Sequence, residues 1–371
     1  MNILIIGNER NSFKLYIKVY NGSHRSVEQD FRTCLTLRQH LCCRLQGSSI
    51  FCLGVNSMVA ITLAIELLLM NGIGIFIRRS GMVNKDFSSR LTNIVLNICV
   101  PCLVFHSINN AAEFSMEALT NCVVILILGV FVIALPLVLG QIIYLKMGKT
   151  GAARNIRYGL TFCHFSFMGI PVIAELFGDL GIFYYTFFLV PVRIGYYSLS
   201  EPLMTPPGAE GKQTTPGMVV KKALLSPQLI AVVVGLVFWV NGWKLPEAIQ
   251  YCVKSLSSIC SPLALLLCGM IVAEYDFKAL MNLKYLRLPI LRTVVMPALF
   301  FLLSRLFVMM GVDALLCQIF VVYTALPVAS LLPVYSIKYD PDPDNHLDAA
   351  GACILSVLLS AVTIPVWYML L

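Results

Sequence analysis

Residues 164–178 read HFSFMGIPVIAELFG, and this stretch decides the fold. It lies inside an apolar run of membrane-spanning length, yet Gly169 and Pro171 interrupt that run near its middle. A proline inside a helix removes a backbone hydrogen bond, and the bilayer core has no water to replace it. A single break of this kind is explained by a proline kink that neighbouring helices absorb, so its meaning depends on the rest of the chain.

The composition is that of a polytopic membrane protein. Of the 371 residues, 58% are hydrophobic and only 12% are charged, whereas soluble domains carry about 25% charged residues. The 13 cysteines are scattered through mostly apolar segments, which argues against a secreted disulfide framework. The net charge of +8 comes from basic residues at segment ends, a placement that favours membrane orientation over nucleic-acid binding.

Apolar runs of spanning length predict ten transmembrane helices. The runs fall at about residues 55–77, 91–109, 119–145, 157–178, 180–201, 226–243, 251–273, 288–311, 314–337 and 347–371. In the loops between them, sixteen Lys and Arg residues lie on one side, against Lys244 and Lys254 on the other. Because positive loops stay in the cytoplasm, we predict a multi-pass protein of the cytoplasmic (plasma) membrane with both its N-terminus and its C-terminus outside.

The chain divides into four predicted segments. Residues 1–50 are basic and lack a long apolar run, so we predict a poorly ordered N-terminal extension and leave open whether it belongs to the native protein. Residues 51–203 and 226–371 hold five spans each. Residues 204–225 are rich in Pro, Gly and Thr and are predicted to form a short cytoplasmic loop.

The prolines repeat in the two halves of the chain. They occur in the second, fourth and fifth span of each half, in the pairs Pro101 and Pro262, Pro171 and Pro327, and Pro191 and Pro365. Because five is odd, the second half must enter the membrane from the opposite face, which gives the inverted repeat of many secondary transporters. Interrupted segments at matching places indicate the binding site of such a transporter, and here they are spans four and nine.

These motifs resemble the auxin efflux carrier (AEC) family, which includes the PIN-type carriers and many prokaryotic permeases. The resemblance covers about residues 55–371 and is carried by NIVLNICVPCLVFHSI (93–108), FSFMGIPVIAELFGDLGIFYY (165–185), SPLALLLCGMIVA (261–273), ALPVASLLPVYSIKYD (325–340) and ILSVLLSAVTIP (354–365). It implies an all-α protein of ten transmembrane helices, in two inverted five-helix repeats whose fourth helices are broken at proline and cross near the midplane.

The resemblance also implies transport of small organic anions such as dicarboxylates or indole acids. Relatives usually carry Asn shortly before the Gly-x-Pro of the first broken helix, and the matching position here is His164. The short cytoplasmic loop is similar to that of prokaryotic members. The resemblance further implies that spans one, two, six and seven form a scaffold against which the other spans move.

Polar groups inside the spans are the candidates for binding and coupling. His164 can change its charge near neutral pH, or it can simply bond to a carbonyl freed by the break. Arg193 matches a carboxylate through its guanidinium fork, or it pairs structurally with Glu66 or Glu175. The substrate-binding candidates are His164, Gly169, Pro171, Thr324, Pro327, Ser330, Asn97, Ser261 and Arg193, and the coupling candidates are His164, Glu175 and Glu66.

Other motifs carry no function in this interpretation. Cys99 and Cys102 have the CxxC spacing but lie in a predicted span, where packing explains them. The acidic run at 340–344 lacks the length of a calcium-binding loop and is typical of a solvated turn. No metal-ligand spacing and no phosphate-binding loop occur in the sequence, so we expect no metal, no cofactor and no catalytic residues.

The sequence therefore predicts a secondary active transporter, a permease or efflux carrier, that moves a small organic anion by alternating access. Backbone N–H groups at the half-helix N-termini near Pro171 and Pro327 are expected to bind a carboxylate. The alternative is a sodium-coupled symporter of the bile-acid carrier type, which shares the crossed-helix fold. The expected partners are the anion and membrane lipid but no nucleic acid, and the sequence leaves a homodimer open.

Overall fold

The structure is a computed structural model that describes residues 2–6, 16–20, 49–110, 115–206, 225–274 and 283–371. The chain divides into two units, Met1–Asn56 and Ser57–Leu371. Residues 207–224, most of the predicted loop at 204–225, lie outside the described residues, as does the greater part of the predicted extension at 1–50.

The first unit contains a pair of short strands. Strand β1 (Asn2–Ile6) pairs antiparallel with β2 (Tyr16–Tyr20), so the all-α prediction is wrong for this part of the chain. The segments NILII and YIKVY are rich in the β-branched and aromatic residues that favour strands. A search for runs of membrane-spanning length passes over segments of five residues, which is why the sequence interpretation missed them.

Helices account for the other named elements. They are α1 (Ser49–Arg79), α2 (Lys85–Ile94), α3 (Val100–Asn110), α4 (Met116–Lys146), α5 (Gly151–Thr161), α6 (Gly169–Met204), α7 (Pro227–Asn241), α8 (Glu247–Ser258), α9 (Cys260–Val272), α10 (Arg287–Ile290), α11 (Met296–Met309), α12 (Ala314–Ala325), α13 (Leu332–Tyr339) and α14 (Pro343–Leu370). A π-helical turn at Val95–Cys99 joins α2 to α3, and another at Leu291–Val295 joins α10 to α11. A 3₁₀ turn at Leu283–Leu286 precedes α10.

Within the described residues, seven helical stretches are long and apolar enough to cross a membrane. They are Ile61–Arg79, Asp86–Asn110, Met116–Lys146, Gly169–Met204, Glu247–Val272, Leu283–Met309 and Pro343–Leu370. The helices Pro227–Asn241 and Ala314–Ala325 are apolar but shorter. Helix length therefore confirms the prediction of ten spans only in part. Spans four and nine are each divided between helices, and span six has only 15 helical residues.

The two interrupted spans break between a pair of half-helices each. In the first, α5 ends at Thr161 and α6 begins at Gly169, so the break precedes Pro171 instead of falling on it. Pro171 lies in the first turn of α6, where its missing N–H removes no helical hydrogen bond. Gly178, with φ 62° and ψ −155°, divides α6 into the end of span four and the whole of span five.

Six helix starts carry a side-chain cap, and the two that follow the breaks are among those that do not. The side chains that accept a hydrogen bond from the first turn of a helix are Asn84, Ser115, Thr150, Ser226, Asp313 and Asp342. These residue types satisfy N–H groups that have no partner inside the helix. At α6 and α13 the N-cap residues are Met168 and Leu331, whose side chains make no such bond.

The helices pack in two groups. Group I consists of α1–α3 and α7–α9, and group II consists of α4–α6 and α10–α14. In group I, glycines let α1 and α9 touch backbone to backbone, since a Cβ on Gly269 would overlap the carbonyl oxygen of Asn71. The groups meet where α6 contacts α3 and α9. Both broken spans belong to group II.

Candidate functional site

The two broken segments, residues 162–168 and 326–331, lie against each other, and we refer to them as the crossing. Cys163 and Val328 form an antiparallel bridge. Beside it, the N–H of His164 donates to the carbonyl oxygen of Pro327 at 2.9 Å, and the N–H of Ala329 donates to that of Phe162 at 3.3 Å. Each segment therefore satisfies backbone groups that the break in the other has freed.

Side chains from neighbouring helices complete the hydrogen bonding of the crossing. The hydroxyl of Tyr185 in α6 donates to the carbonyl oxygen of Phe165 at 2.9 Å. The hydroxyl of Ser356 in α14 accepts from the N–H of Val328 at 3.1 Å. Gly169 is needed for this packing, because a Cβ at that position would overlap the Tyr185 hydroxyl.

A narrow cleft opens beside the crossing. Its walls come from the crossing, from α9 and from α14, and they are formed by His164, Cys268, Ile271, Val272, Val328, Ser330, Cys353, Ile354 and Val357. The cleft thus lies on the seam between group I, which contributes α9, and group II. It has room for about one water molecule, so the site is closed in this conformation.

The cleft is mostly apolar and presents few polar groups. His164 is only 7% exposed, and its Nε2 lies 3.7 Å from the sulfur of Cys268. Ser330 is half-buried, and its hydroxyl has no hydrogen-bond partner in the described part of the chain. The thiol of Cys353 donates to the carbonyl oxygen of Ala329 at 3.4 Å. The imidazole of His164 and the hydroxyl of Ser330 are therefore the groups best placed to meet a ligand.

Of the residues proposed from the sequence, His164, Pro327 and Ser330 lie in the crossing, and Gly169 and Pro171 lie in the first turn of α6, which follows it. Three others lie outside the walls of the cleft. Thr324 is buried and its hydroxyl donates to the carbonyl oxygen of Val321 at 2.7 Å, Asn97 is exposed on a π-helical turn, and Ser261 is half-buried in α9.

Arg193 is 7% exposed in α6, and its Nη1 atom has no hydrogen-bond partner. No ion pair joins it to Glu66 or Glu175, which was the structural alternative to substrate contact. Glu175 is exposed on α6 and Glu66 is half-buried in α1, and neither lines the cleft. Arg193 is therefore a buried cation that no carboxylate of the described residues neutralises.

The sequence interpretation missed Arg292 because it counted this residue as a loop charge. Arg292 is fully buried and donates hydrogen bonds to carbonyl oxygens at the ends of both α5 and α12. Its position four residues inside the predicted span 288–311 was the signal that could have identified it.

The prediction of a solvated turn at 340–344 is wrong at Asp340. This residue is buried and pairs with Arg154 at 2.8 Å, which joins the start of α5 to the end of α13. Arg154, Arg157 and Arg292 are all buried, so they are not loop charges. Removing these three leaves thirteen basic residues against two, and the predicted orientation keeps its basis.

Comparison with known proteins identifies the class of molecule. A sequence model described as "Membrane transport protein" matches residues 59–368. An uncharacterized transporter of Methanothermobacter thermautotrophicus is 26% identical over 311 residues, which cover 81% of this chain and 94% of the relative. An uncharacterized transporter of Methanocaldococcus jannaschii is 25% identical over 317 residues, which cover 84% and 98%.

Both archaeal relatives are matched over nearly their whole length. With its long apolar helices, this chain is an integral, multi-pass membrane protein. It belongs to the membrane transport protein family, the auxin efflux carrier family that its motifs resemble.

Proposed function

We propose that this protein is a secondary active transporter that moves a small organic anion, such as a dicarboxylate, across the cytoplasmic membrane by alternating access. The observation that carries the proposal is the contact between the two broken segments, each followed by a half-helix N-terminus, beside the cleft on the seam between the two helix groups. Family membership supports transport, and the site supports the anion and the mechanism that we propose.

The chemistry of the crossing favours an anion. The N-terminus of a helix carries about half a positive charge and presents unpaired N–H groups to a ligand. In the first turns of α6 and α13, the N–H groups of Ile170 and Val334 are left to donate to a carboxylate in the opened cleft, because Pro171 and Pro333 have no N–H. His164 and Ser330 line the same cleft and supply further hydrogen bonds. Buried Arg193 adds a cation to α6 in group II.

The transport step is a movement of group II relative to group I. The closed cleft has too little room for an organic acid, so the seam between α9 and the crossing must open to admit one. The hydrogen bonds across the crossing lie within group II, and the half-helices therefore move together. In this proposal α1–α3 and α7–α9 are the scaffold, as the family resemblance implies.

The ten-helix inverted repeat is part of the same proposal. The bridge between Cys163 and Val328 is antiparallel, as expected where one copy enters the membrane from the opposite face. The ion pair between Arg154 and Asp340 places the start of the first broken span beside the end of the second. Both contacts support two oppositely directed copies. We also propose that both termini lie outside, because the basic residues of the loops are concentrated on the other side of the membrane.

Uptake by proteoliposomes tests the function. We expect vesicles that contain the purified chain to accumulate radiolabelled malonate or malate with saturation, and empty vesicles to accumulate none. Ser330→Ala should raise KM about tenfold, because a hydrogen bond to a charged group contributes about 1.5–3 kcal/mol. Ser198→Ala is the matched control, since that hydroxyl bonds within α6 and lies outside the cleft. Absence of uptake across a broad panel of organic acids by monodisperse protein would contradict the proposal.

Replacing sodium by choline separates this proposal from the sodium-coupled alternative. A symporter of that type should carry acidic and amide side chains at the crossing for sodium, and the residues that line the cleft include neither. We therefore expect equal rates in the two salts. Uptake that required sodium would instead favour a symporter of the bile-acid carrier type.

A further inference from the structure

Arg292 ties together the two half-helices that end at the crossing. It lies in the π-helical turn Leu291–Val295 and is 0% exposed. Its Nη1 donates to the carbonyl oxygen of Leu160 at 2.6 Å, near the end of α5. Its Nε donates to that of Leu326 at 3.2 Å, and its Nη2 to that of Tyr323 at 3.4 Å, both at the end of α12. One guanidinium thus donates hydrogen bonds to carbonyl groups at the C-terminal ends of two helices that are far apart in sequence.

The partners of Arg292 are unusual for a buried cation, because they are neutral. A charge at membrane depth is expensive and ordinarily pairs with an acid. No carboxylate of the described residues lies within ion-pair distance of Arg292. Its other contacts are the ring of Tyr323, 5.7 Å from the guanidinium carbon, and the thiol of Cys163. Its charge is instead opposed by two helix C-termini, each of which carries about half a negative charge.

These charges leave the crossing positive. A break in a helix creates one C-terminus and one N-terminus whose partial charges roughly cancel. Here the guanidinium neutralises both C-termini, at α5 and α12, while the N-termini of α6 and α13 have no side-chain cap to oppose them. A net charge of about +1 therefore remains at the two N-termini.

We propose that Arg292 is a positioning and specificity-determining residue: it holds the C-terminal ends of α5 and α12 together and makes the crossing complementary to one carboxylate. The inference rests on the proposed transport function and deepens it, because it names the source of the preference for anions. A structural role alone would require only the hydrogen bonds to the three carbonyls. A role in specificity also requires the charge.

A cross-link at the crossing separates geometry from charge. Cys163 and Val328 form a directly opposed antiparallel pair whose flanking residues make the hydrogen bonds. The Cα atoms of such pairs lie about 4.5 Å apart, within the range that a disulfide spans. Val328→Cys should therefore cross-link to Cys163 on oxidation, whereas Val328→Cys with Cys163→Ser should not. The cross-linked Val328→Cys protein is the reference with which the cross-linked Arg292 variants are compared.

The experiment uses full-length protein with Val328→Cys. It measures uptake of radiolabelled malonate and compares how strongly unlabelled malonate and neutral malonamide inhibit that uptake. Adding Arg292→Gln should slow cross-linking, because the fork that joins the two half-helices is lost. After oxidation has restored the crossing, we expect KM for malonate to stay raised about tenfold or more, with reduced discrimination against malonamide. Arg292→Lys keeps the charge and should keep the discrimination.

Three results decide the outcome. If oxidation of the Arg292→Gln protein returned KM and discrimination to those of the cross-linked parent, the specificity role would be overturned. If the Gln variant did not fold, loss of discrimination in a cross-linked Arg292→Lys protein would overturn it equally. If the wild-type protein took up no organic acid, the proposed function would fail. The cross-linking rate alone would then test positioning, and equal rates with Arg292 and with Gln would overturn that role.

Discussion

Gly169→Ala is a direct test of the packing that holds the crossing. The methyl group would overlap the hydroxyl of Tyr185 and would come to 2.9 Å from the Cδ1 atom of Leu326. Tyr185 is 1% exposed and cannot withdraw to solvent. To make room it must leave the carbonyl oxygen of Phe165, to which it donates at 2.9 Å.

The magnitude follows from these contacts. Overpacking a core by a methyl group costs about 1–3 kcal/mol, and losing the hydrogen bond adds about 0.5–1.5 kcal/mol. The higher helix propensity of Ala returns at most about 1 kcal/mol. We therefore expect Gly169→Ala to lower the free energy of unfolding by about 1–4 kcal/mol.

A double-mutant cycle assigns the cost to the hydroxyl. Tyr185→Phe removes the overlapping atom, and the nearest ring carbon then lies 3.2 Å from the added methyl group. Tyr185→Phe alone should cost about 0.5–1.5 kcal/mol, and Gly169→Ala should cost less than about 1 kcal/mol in that background. The assay is equilibrium unfolding of the purified protein in mixed detergent micelles.

Gly72→Ala is the matched control, because a Cβ there meets nothing within 4 Å. It should leave stability unchanged or slightly raise it. The packing argument would be refuted if Gly169→Ala were as stable as this control. It would also be refuted if the cost of Gly169→Ala were the same with Tyr185 and with Phe at that position.

Two further predictions concern the half-helices. Asp340→Asn should lower the free energy of unfolding by about 3–5 kcal/mol, because it leaves Arg154 buried without its counter-charge. A loss of less than about 1 kcal/mol in the same unfolding assay would be evidence against the buried ion pair. Pro171→Ala and Pro327→Ala should each reduce malonate uptake about tenfold or more through misplaced binding groups, at expression levels similar to wild type. Pro227→Ala, at the start of α7 in group I, serves as their control, and normal uptake by both crossing variants would remove these prolines from the mechanism.

The broken spans could be predicted from the sequence because their signals are local. Gly169 and Pro171 interrupt an apolar run, and Pro327 interrupts another at the matching place in the second half. That the two breaks lie against each other was implied by the family resemblance, and the structure brings them together. The position of the first break could not be predicted to the residue, because Pro171 fits the first turn of a helix as well as it fits a break.

The rest of the site depends on contacts that no local pattern encodes. The role of Arg292 comes from carbonyl groups on α5 and α12, which are distant in sequence. An acidic run with prolines is typical of a solvated turn, and only the approach of Arg154, 186 residues away, buries Asp340. Cys268 and Cys353 line the cleft, but a cysteine within an apolar helix is indistinguishable from packing in the sequence.

Protection of Cys353 tests the central claim, that the transported anion binds in the cleft at the crossing. In a variant whose other cysteines are replaced, Cys353 is the thiol in the cleft wall, and a maleimide should reach it only when the seam opens. A protein that retains only Cys252, which is exposed on α8, is the control.

We predict that malonate slows maleimide modification of Cys353 with a half-maximal effect near the KM for uptake, and leaves Cys252 unaffected. If malonate at concentrations that saturate uptake left the modification rate of Cys353 unchanged, the anion would bind elsewhere, and the assignment of the crossing as the transport site would be contradicted.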